Sequence, residues 1–267
     1  MKKQLFWTFA GLSSFAVSLI TLTPLPMVAQ QLAKRNPGLE FAGVSGSLWQ
    51  GQVQRLTTPK MVVNDLSWTF APKKLLTGYL AADMEAKVRT VQLRGQCGIS
   101  VMQNLHCSPL HAELDAANMG QLTPQGTQLP VTLEGTMIAN LDDITWDRQQ
   151  IPVANGRLLW DDGKIAKPVQ MDLGGRYEAK IRGDQDNHAL AIELLSKETA
   201  VVLDGFINVE PAGDYELEVK VKAAGNADPL VGAALETSLG ELGAVQNDGS
   251  VRIVQKGTLP LPQQSED

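Results

Sequence analysis

Apolar and polar positions alternate along much of this chain. In Tyr215-Glu216-Leu217-Glu218-Val219-Lys220-Val221 the alternation is strict, as expected of an antiparallel strand with one buried and one wet face. Related runs cover 53–56, 79–88, 131–139, 177–181, 189–195, 201–209 and 251–256. Gly, Asp and Asn separate such runs at Asp162-Gly163, Ala212-Gly213-Asp214 and Asn247-Asp248-Gly249, where tight turns are expected. The hairpin-like intervals predict a meander. Helical periodicity is scarce. The best case is 228–239, with Pro229 at the first helical position, an apolar stripe of Leu230, Val231, Ala234, Leu235 and Leu239, and Gly240 as a stop. A second short helix is expected over 111–118.

The N-terminus follows a different pattern. Leu5 through Ala29 contains no charged side chain, and Lys2 and Lys3 precede it. At about 1.5 Å per residue this run is long enough to cross a hydrocarbon core about 30 Å thick. Pro24 and Pro26 are expected to end the helix near Thr23. The lysines place the N-terminus in the cytoplasm. Residues 30–34 are expected to extend a little way as helix. A cleaved signal peptide is the competing reading, but Met27 occupies the position where cleavage after Ala29 would need a small residue, and the apolar run is long for a signal core. The expectation is a retained single-pass anchor. Both readings export the remainder.

The fold class is therefore mainly β: an N-terminal transmembrane helix, then an antiparallel β-meander in the periplasm, curved if the sheet bends, with few short helices. The expected organisation is a cytoplasmic tip and anchor over 1–29, a juxtamembrane linker over 30–37, a periplasmic β domain over 38–259 and a mobile tail over 260–267. Two pairs of phrases recur. Gly46-Ser47-Leu48-Trp49-Gln50-Gly51 resembles Gly156-Arg157-Leu158-Leu159-Trp160 with Gly163, and Asn64-Asp65-Leu66-Ser67-Trp68 resembles Asp142-Asp143-Ile144-Thr145-Trp146. They outline subdomains at 38–125 and 126–259, although their order differs between the halves.

Charge and chemistry narrow the function classes. The chain carries 23 Lys and Arg against 29 Asp and Glu, a net charge of -6. With no long basic stripe, nucleic acid is not an expected partner. Cys97 and Cys107 are the two cysteines. A disulfide between them suits an oxidising periplasm. Free thiols, or a metal site of Cys97, His106, Cys107 and His111, are the alternatives, and adjacent His106 and Cys107 do not match zinc spacing. No nucleophile elbow, metalloprotease helix, P-loop or dinucleotide fingerprint occurs. Asp184-Gln185-Asp186-Asn187-His188 resembles a calcium loop only faintly, because Ala189 and Leu195 stand where Gly and Glu are needed. Asp142-Asp143 and Asp161-Asp162 read as turn residues at strand ends, since neighbouring strand side chains point to opposite faces. No catalytic residue, cofactor or metal is expected. Trp49, Trp68, Trp146 and Trp160 have two readings: packing within the sheet, or an exposed patch for an apolar or protein partner.

Taken in order after an anchor, these phrases resemble the type II secretion system protein N family, the N component of the general secretion pathway. The residues carrying the resemblance are Val44 to Gly51, then Leu66-Ser67-Trp68 with Pro72, Leu75 and Gly78-Tyr79-Leu80. Gly156 to Trp160, Leu203-Asp204-Gly205, Leu239-Gly240, Asp248-Gly249 and Gly257-Thr258-Leu259 continue it. The resemblance implies an inner-membrane accessory of the machine that moves folded proteins from the periplasm across the outer membrane. Its partners would be other inner-membrane or periplasmic secretion components, bound without covalent chemistry. Gly46, Trp49, Gly51, Trp68, Trp146 and Trp160 are the candidate structural or docking residues. The other outline that fits is an AsmA-like periplasmic protein holding a lipid or other apolar ligand in a groove. N-terminal sequencing of membrane-extracted protein should find the anchor retained; a mature start near Gln30 would remove it.

Overall fold

The computed structural model describes residues 23–59, 61–121, 132–147, 149–167, 170–225 and 243–259, with Ala227, 231–233, Leu235 and Thr237 between the last two stretches. The chain divides into two compact units, 1–94 and 95–267. That division lies ahead of the 125/126 boundary outlined by the recurring phrases. The expected anchor lies almost wholly outside the described residues, as does the expected tail. Among the described residues no helix is long and apolar enough to cross a membrane.

The first unit opens with α1 (Leu25–Arg35), which buries Leu25 and Ala29. The helix expected to end near Thr23 lies outside the described residues, and Pro24 and Pro26 stand at the start of the next one. Pro24 is its N-cap and Pro26 lies in its first turn, where a missing amide removes no intrahelical bond. Lys34 and Arg35 occupy the last turn, the favoured end for cations. Strands β1 (Glu40–Gly46), β2 (Gln50–Thr57), β3 (Val62–Phe70) and β4 (Tyr79–Val88) follow. They pair antiparallel in chain order. A 3-10 turn over Pro72–Thr77 joins β3 to β4. β1 escapes a periodicity search because Glu40-Phe41-Ala42-Gly43-Val44-Ser45-Gly46 offers little apolar alternation; its partner β2 sets its conformation through the ladder.

β5 (Val91–Ser100) leads into the second unit. There follow β6 (Leu105–Asp115), β7 (Thr132–Trp146), β8 (Val153–Lys167), β9 (Met171–Asp172), β10 (Arg176–Asp184), β11 (Ala189–Lys197), β12 (Val201–Val209), β13 (Asp214–Ala223), β14 (Ala244–Val245) and β15 (Val251–Thr258). From β6 to β13 the pairing follows chain order, with the short β9 set beside β8, and β15 lies between β13 and β14. The expected antiparallel meander is thus present.

Three expectations change. The helix expected over 111–118 is absent, because β6 continues to Asp115 and a 3-10 turn takes over at Ala116–Gln121. Pairing of His111 with Asn140 and Glu113 with Ile138 outweighs the local helical preference. Asp162-Gly163 does not turn the chain. Both lie inside β8, and the register against β7 shifts there between Glu134 and Thr136, a bulge that absorbs the extra residue. Asp142-Asp143 likewise sits inside β7. Of the helix expected over 228–239, residues 231–233, 235 and 237 are helical and the rest lie outside the described residues.

The core of this unit is built by alternation. Leu173, Val201, Val219, Val221 and Val231 are buried together, with Trp160, Tyr177, Leu203, Leu217, Leu235 and Ile253 packed against them. On β13 the opposite face carries Glu216, Glu218 and Lys220, which meet Lys256, Arg252 and Asp248 at 2.8, 2.8 and 2.9 Å. These exposed pairs stabilise weakly, but Glu216 and Lys256 are ladder partners and Glu218 reaches Arg252 on the diagonal, so a slipped register would part them. The hairpin of β5 and β6 is crosslinked by Cys97 and Cys107, with Cα atoms 4.0 Å apart. Its turn is closed by Ser100 N–H donating to Asn104 O at 2.9 Å. Peptide mapping without reductant should recover the two cysteines joined. Breaking the link should lower stability by a little under ~3 kcal/mol, the loop-entropy value for a short loop; two alkylatable thiols in the native protein would contradict the pairing.

Candidate functional site

Four of the six candidate residues meet in one joint of the first unit. The β1–β2 connection begins at Gly46, whose φ of +91° and lack of side chain let Gln50 O approach. The Ser47 hydroxyl accepts from the backbone N–H of Trp49 at 3.2 Å and of Gln50 at 3.3 Å, and Ser47 N–H donates to Gln50 O at 2.8 Å. Gly51 stands opposite Trp68 in the ladder. A Cβ there would lie 2.6 Å from Trp68 Cζ2, 2.8 Å from Leu25 Cδ2 and 2.8 Å from Ser47 O. Glycine therefore lets the indole and the first helical leucine close over the strand. Trp68 Nε1 donates to Leu48 O at 2.9 Å. Trp49 packs edge-on against Phe70, centroids 4.5 Å apart, and Phe70 N–H donates to Trp49 O at 2.7 Å. Pro24 bridges to Ser47, so the start of α1 is pinned to the same connection. The Trp49 indole N–H is buried with no hydrogen-bond partner among the described residues.

Trp146 and Trp160 belong to the second unit and do not join a common cluster. Trp146 ends β7, and its Nε1 donates to Gln150 O at 3.0 Å. Next to it, the Asp147 carboxylate accepts from Gln150 N–H and Gln149 N–H, and these bonds hold it below its ordinary value of 3.8. Trp160 lies over Gly163, whose Cβ would meet the indole at 2.9 Å. Its Nε1 donates to Glu134 O at 3.0 Å, and its ring sits 5.4 Å from that of Tyr177. Burial pushes the Tyr177 phenol up. These four candidate tryptophans are each half-buried.

The acidic candidates are held by local partners. Asp161 and Arg176 form a two-pronged pair at 2.5 and 3.1 Å. Asp143 accepts from Asn155 and Gln185. Asp184 caps its own turn by accepting from Asp186 N–H and Asn187 N–H. His106 Nδ1 lies 3.2 Å from Thr145 Oγ1, and His111 Nδ1 lies 2.6 Å from Asn140 Oδ1. The two cysteines of the alternative metal set are bonded to each other.

Register also assembles a feature that periodicity does not reveal. Ala42, Arg55, Asn64 and Lys87 form one cross-strand row through β1 to β4. With Gln54, Asp65 and Arg89 they line a cleft of about 590 Å³. Arg55 and Lys87 are exposed and make no ion pair among the described residues, whereas Arg94 of the same unit meets Glu85 at 2.7 Å. The cleft therefore presents cations with a polar lining, an arrangement suited to acidic groups.

Fold and site together define a class: an antiparallel β-meander whose recurring Gly and Trp residues lock strands. The chain belongs to the type II secretion system (T2SS) protein N family, whose profile matches residues 37–254. It is similar to the type II secretion system protein N of Vibrio cholerae serotype O1, 26% identical over 152 residues, or 56% of each chain. That match spans about half the length of the relative. It is also similar to the protein of the same description from Pectobacterium carotovorum subsp. carotovorum, 23% identical over 250 residues, 93% of this chain and 92% of the relative. No solved structure matches the chain.

The two indoles of the joint should respond differently to removal of their N–H groups. Trp68→Phe should destabilise the solubilised protein by about 1 kcal/mol, because a satisfied bond to Leu48 O is lost. Trp49→Phe should cost less, because it removes a buried donor without a described partner. Equal losses in chemical denaturation would contradict this assignment.

Proposed function

We propose that the chain is an inner-membrane-anchored accessory of type II secretion that supports transport of folded proteins from the periplasm across the outer membrane by binding other components of the system. Family membership supports the secretion role. The observation that carries the mechanism is the joint: Pro24 bridges Ser47 and Leu25 lies against Gly51, within the last part of the uncharged run that begins at Leu5. In this reading residues 1–29 contain the cytoplasmic tip and anchor, and the β-meander is periplasmic. Cys97 and Cys107 suit that compartment. Tethering confines the sheet to the membrane surface and raises its effective concentration near other anchored components.

Binding rather than covalent chemistry is the proposed mode. Arg55 and Lys87 supply a cationic contact for acidic segments of a partner. They stand two strands apart with Asn64 between them, about 10 Å by strand spacing. The AsmA-like alternative needs an apolar groove, and this cleft does not provide one: its lining is one alanine with six polar or charged residues.

The test is a deletion strain carrying the full chain, residues 24–267 directed to the periplasm, or no copy. The fragment keeps Pro24 and α1, so the joint remains. Secreted substrate outside the cells should be highest with the full chain and poorly restored by the fragment, while exported substrates stay chemically intact. Equal secretion in all three, with unchanged partner crosslinking, would sink the proposal. A change in envelope lipid composition instead would favour the lipid-binding alternative.

A further inference from the structure

We propose that the turn joining β3 to β4 is a second membrane contact, which seats Leu75 and Leu76 in the lipid interface beside the anchor. The inference rests on the anchored reading above and adds a surface that it does not require.

The turn and the anchor's exit point share one end of the first unit. Phe70 N–H donates to Trp49 O and Gln50 pairs with Thr69, so the 3-10 turn over Pro72–Thr77 leaves the sheet beside the β1–β2 connection. Pro24 bridges that connection at Ser47. The uncharged N-terminal run therefore enters the fold where this turn protrudes.

The turn's side chains do not fit a water-facing loop. Leu76 is 91% exposed, Leu80 63% and Leu75 51%, with Met27 and Leu48 also exposed at this end. Soluble surfaces carry scattered apolar residues, but a group of them marks an interaction site. Lys73 and Lys74 precede the leucines, the combination expected of a segment lying on anionic headgroups. Tyr79 opens β4 at the same end, where aromatic residues are favoured at a membrane interface. The nearest acidic residue along β4 is Asp83, opposite Thr69 in the ladder.

The turn is also preformed. Pro72 occupies its first turn, Thr77 Oγ1 donates to Lys74 O at 2.8 Å, and Gly78 N–H donates to Leu75 O at 3.1 Å. A Cβ on Gly78 would meet nothing within 4 Å, so the turn stands clear of the sheet. The leucines are thus held outward by backbone geometry and need no rearrangement to enter lipid. Because the chain already emerges from the bilayer beside it, the turn meets the interface at high effective concentration.

The full chain, reconstituted in vesicles of phosphatidylethanolamine and phosphatidylglycerol, provides the test. Leu76→Trp places an indole in the turn, and lipids brominated on the acyl chains quench an indole that enters them. The added emission should shift to the blue and be mostly lost. Met61→Trp is the control: Met61 is an exposed apolar residue of the same unit, at the opposite end of β2 and β3, and its added emission should persist. Adding Lys73→Glu and Lys74→Glu to the Leu76→Trp chain should reduce quenching in these vesicles but not in phosphatidylcholine alone. Alkaline extraction reads the anchor separately. Release of the protein would overturn the anchored reading, whereas retention with an unquenched indole at position 76, or equal quenching at 61 and 76, would overturn only this proposal.

Discussion

Strand register is the constraint on which the rest of this protein depends. In a meander each strand has its place through the neighbour that follows it, and a slip of one residue exchanges the buried face for the wet one. On β13 such a slip would bring Glu216, Glu218 and Lys220 to the face that buries Val219 and Val221. It would also part the ion pairs with Lys256, Arg252 and Asp248. Apolar burial supplies the larger stabilisation, while the charged face penalises the alternatives. The same register builds the cationic row of Arg55 and Lys87 across strands distant in sequence.

Glycine under an aromatic ring is the local device that recurs in both units. Gly51 admits Trp68, Gly163 admits Trp160, and Gly257 admits Tyr215, its partner in the ladder. Each glycine weakens its strand by its backbone freedom, and the ring above it restores apolar contact, an arrangement also used to support sheet glycines in designed proteins. The indoles of Trp68 and Trp160 add a bond to a backbone carbonyl. These residues therefore act first as joints. At Gly51 the joint also holds Leu25, the first residue of α1.

Family membership makes the chain a secretion component, and under the proposed anchoring the joint would hold the sheet close to the bilayer. The helical residues 25–35 carry one proline, Pro26, in the first turn, so the segment leading into β1 has a defined direction.

Much of this was legible in the residues. Strict alternation marked β13, the 79–88 and 201–209 runs matched β4 and β12 end to end, and the ordered Gly-Trp phrases indicated the family. Two cysteines of hairpin spacing anticipated the contact between β5 and β6. These features are local, so a short window contains their physical cause. β1 was not legible, because its extended form depends on β2. Asp162-Gly163 looked like a turn because a bulge and a turn use the same residues, and only pairing with β7 distinguishes them. The helix expected over 111–118 gave way to a strand because a neighbouring strand satisfied its backbone groups. The uncharged N-terminal run, the alternation and the family phrases belonged to the sequence itself. The union of Gly46, Trp49, Gly51 and Trp68, and the row of Arg55, Asn64 and Lys87, were decided by tertiary structure, because cross-strand neighbours are set by register, which no single strand encodes.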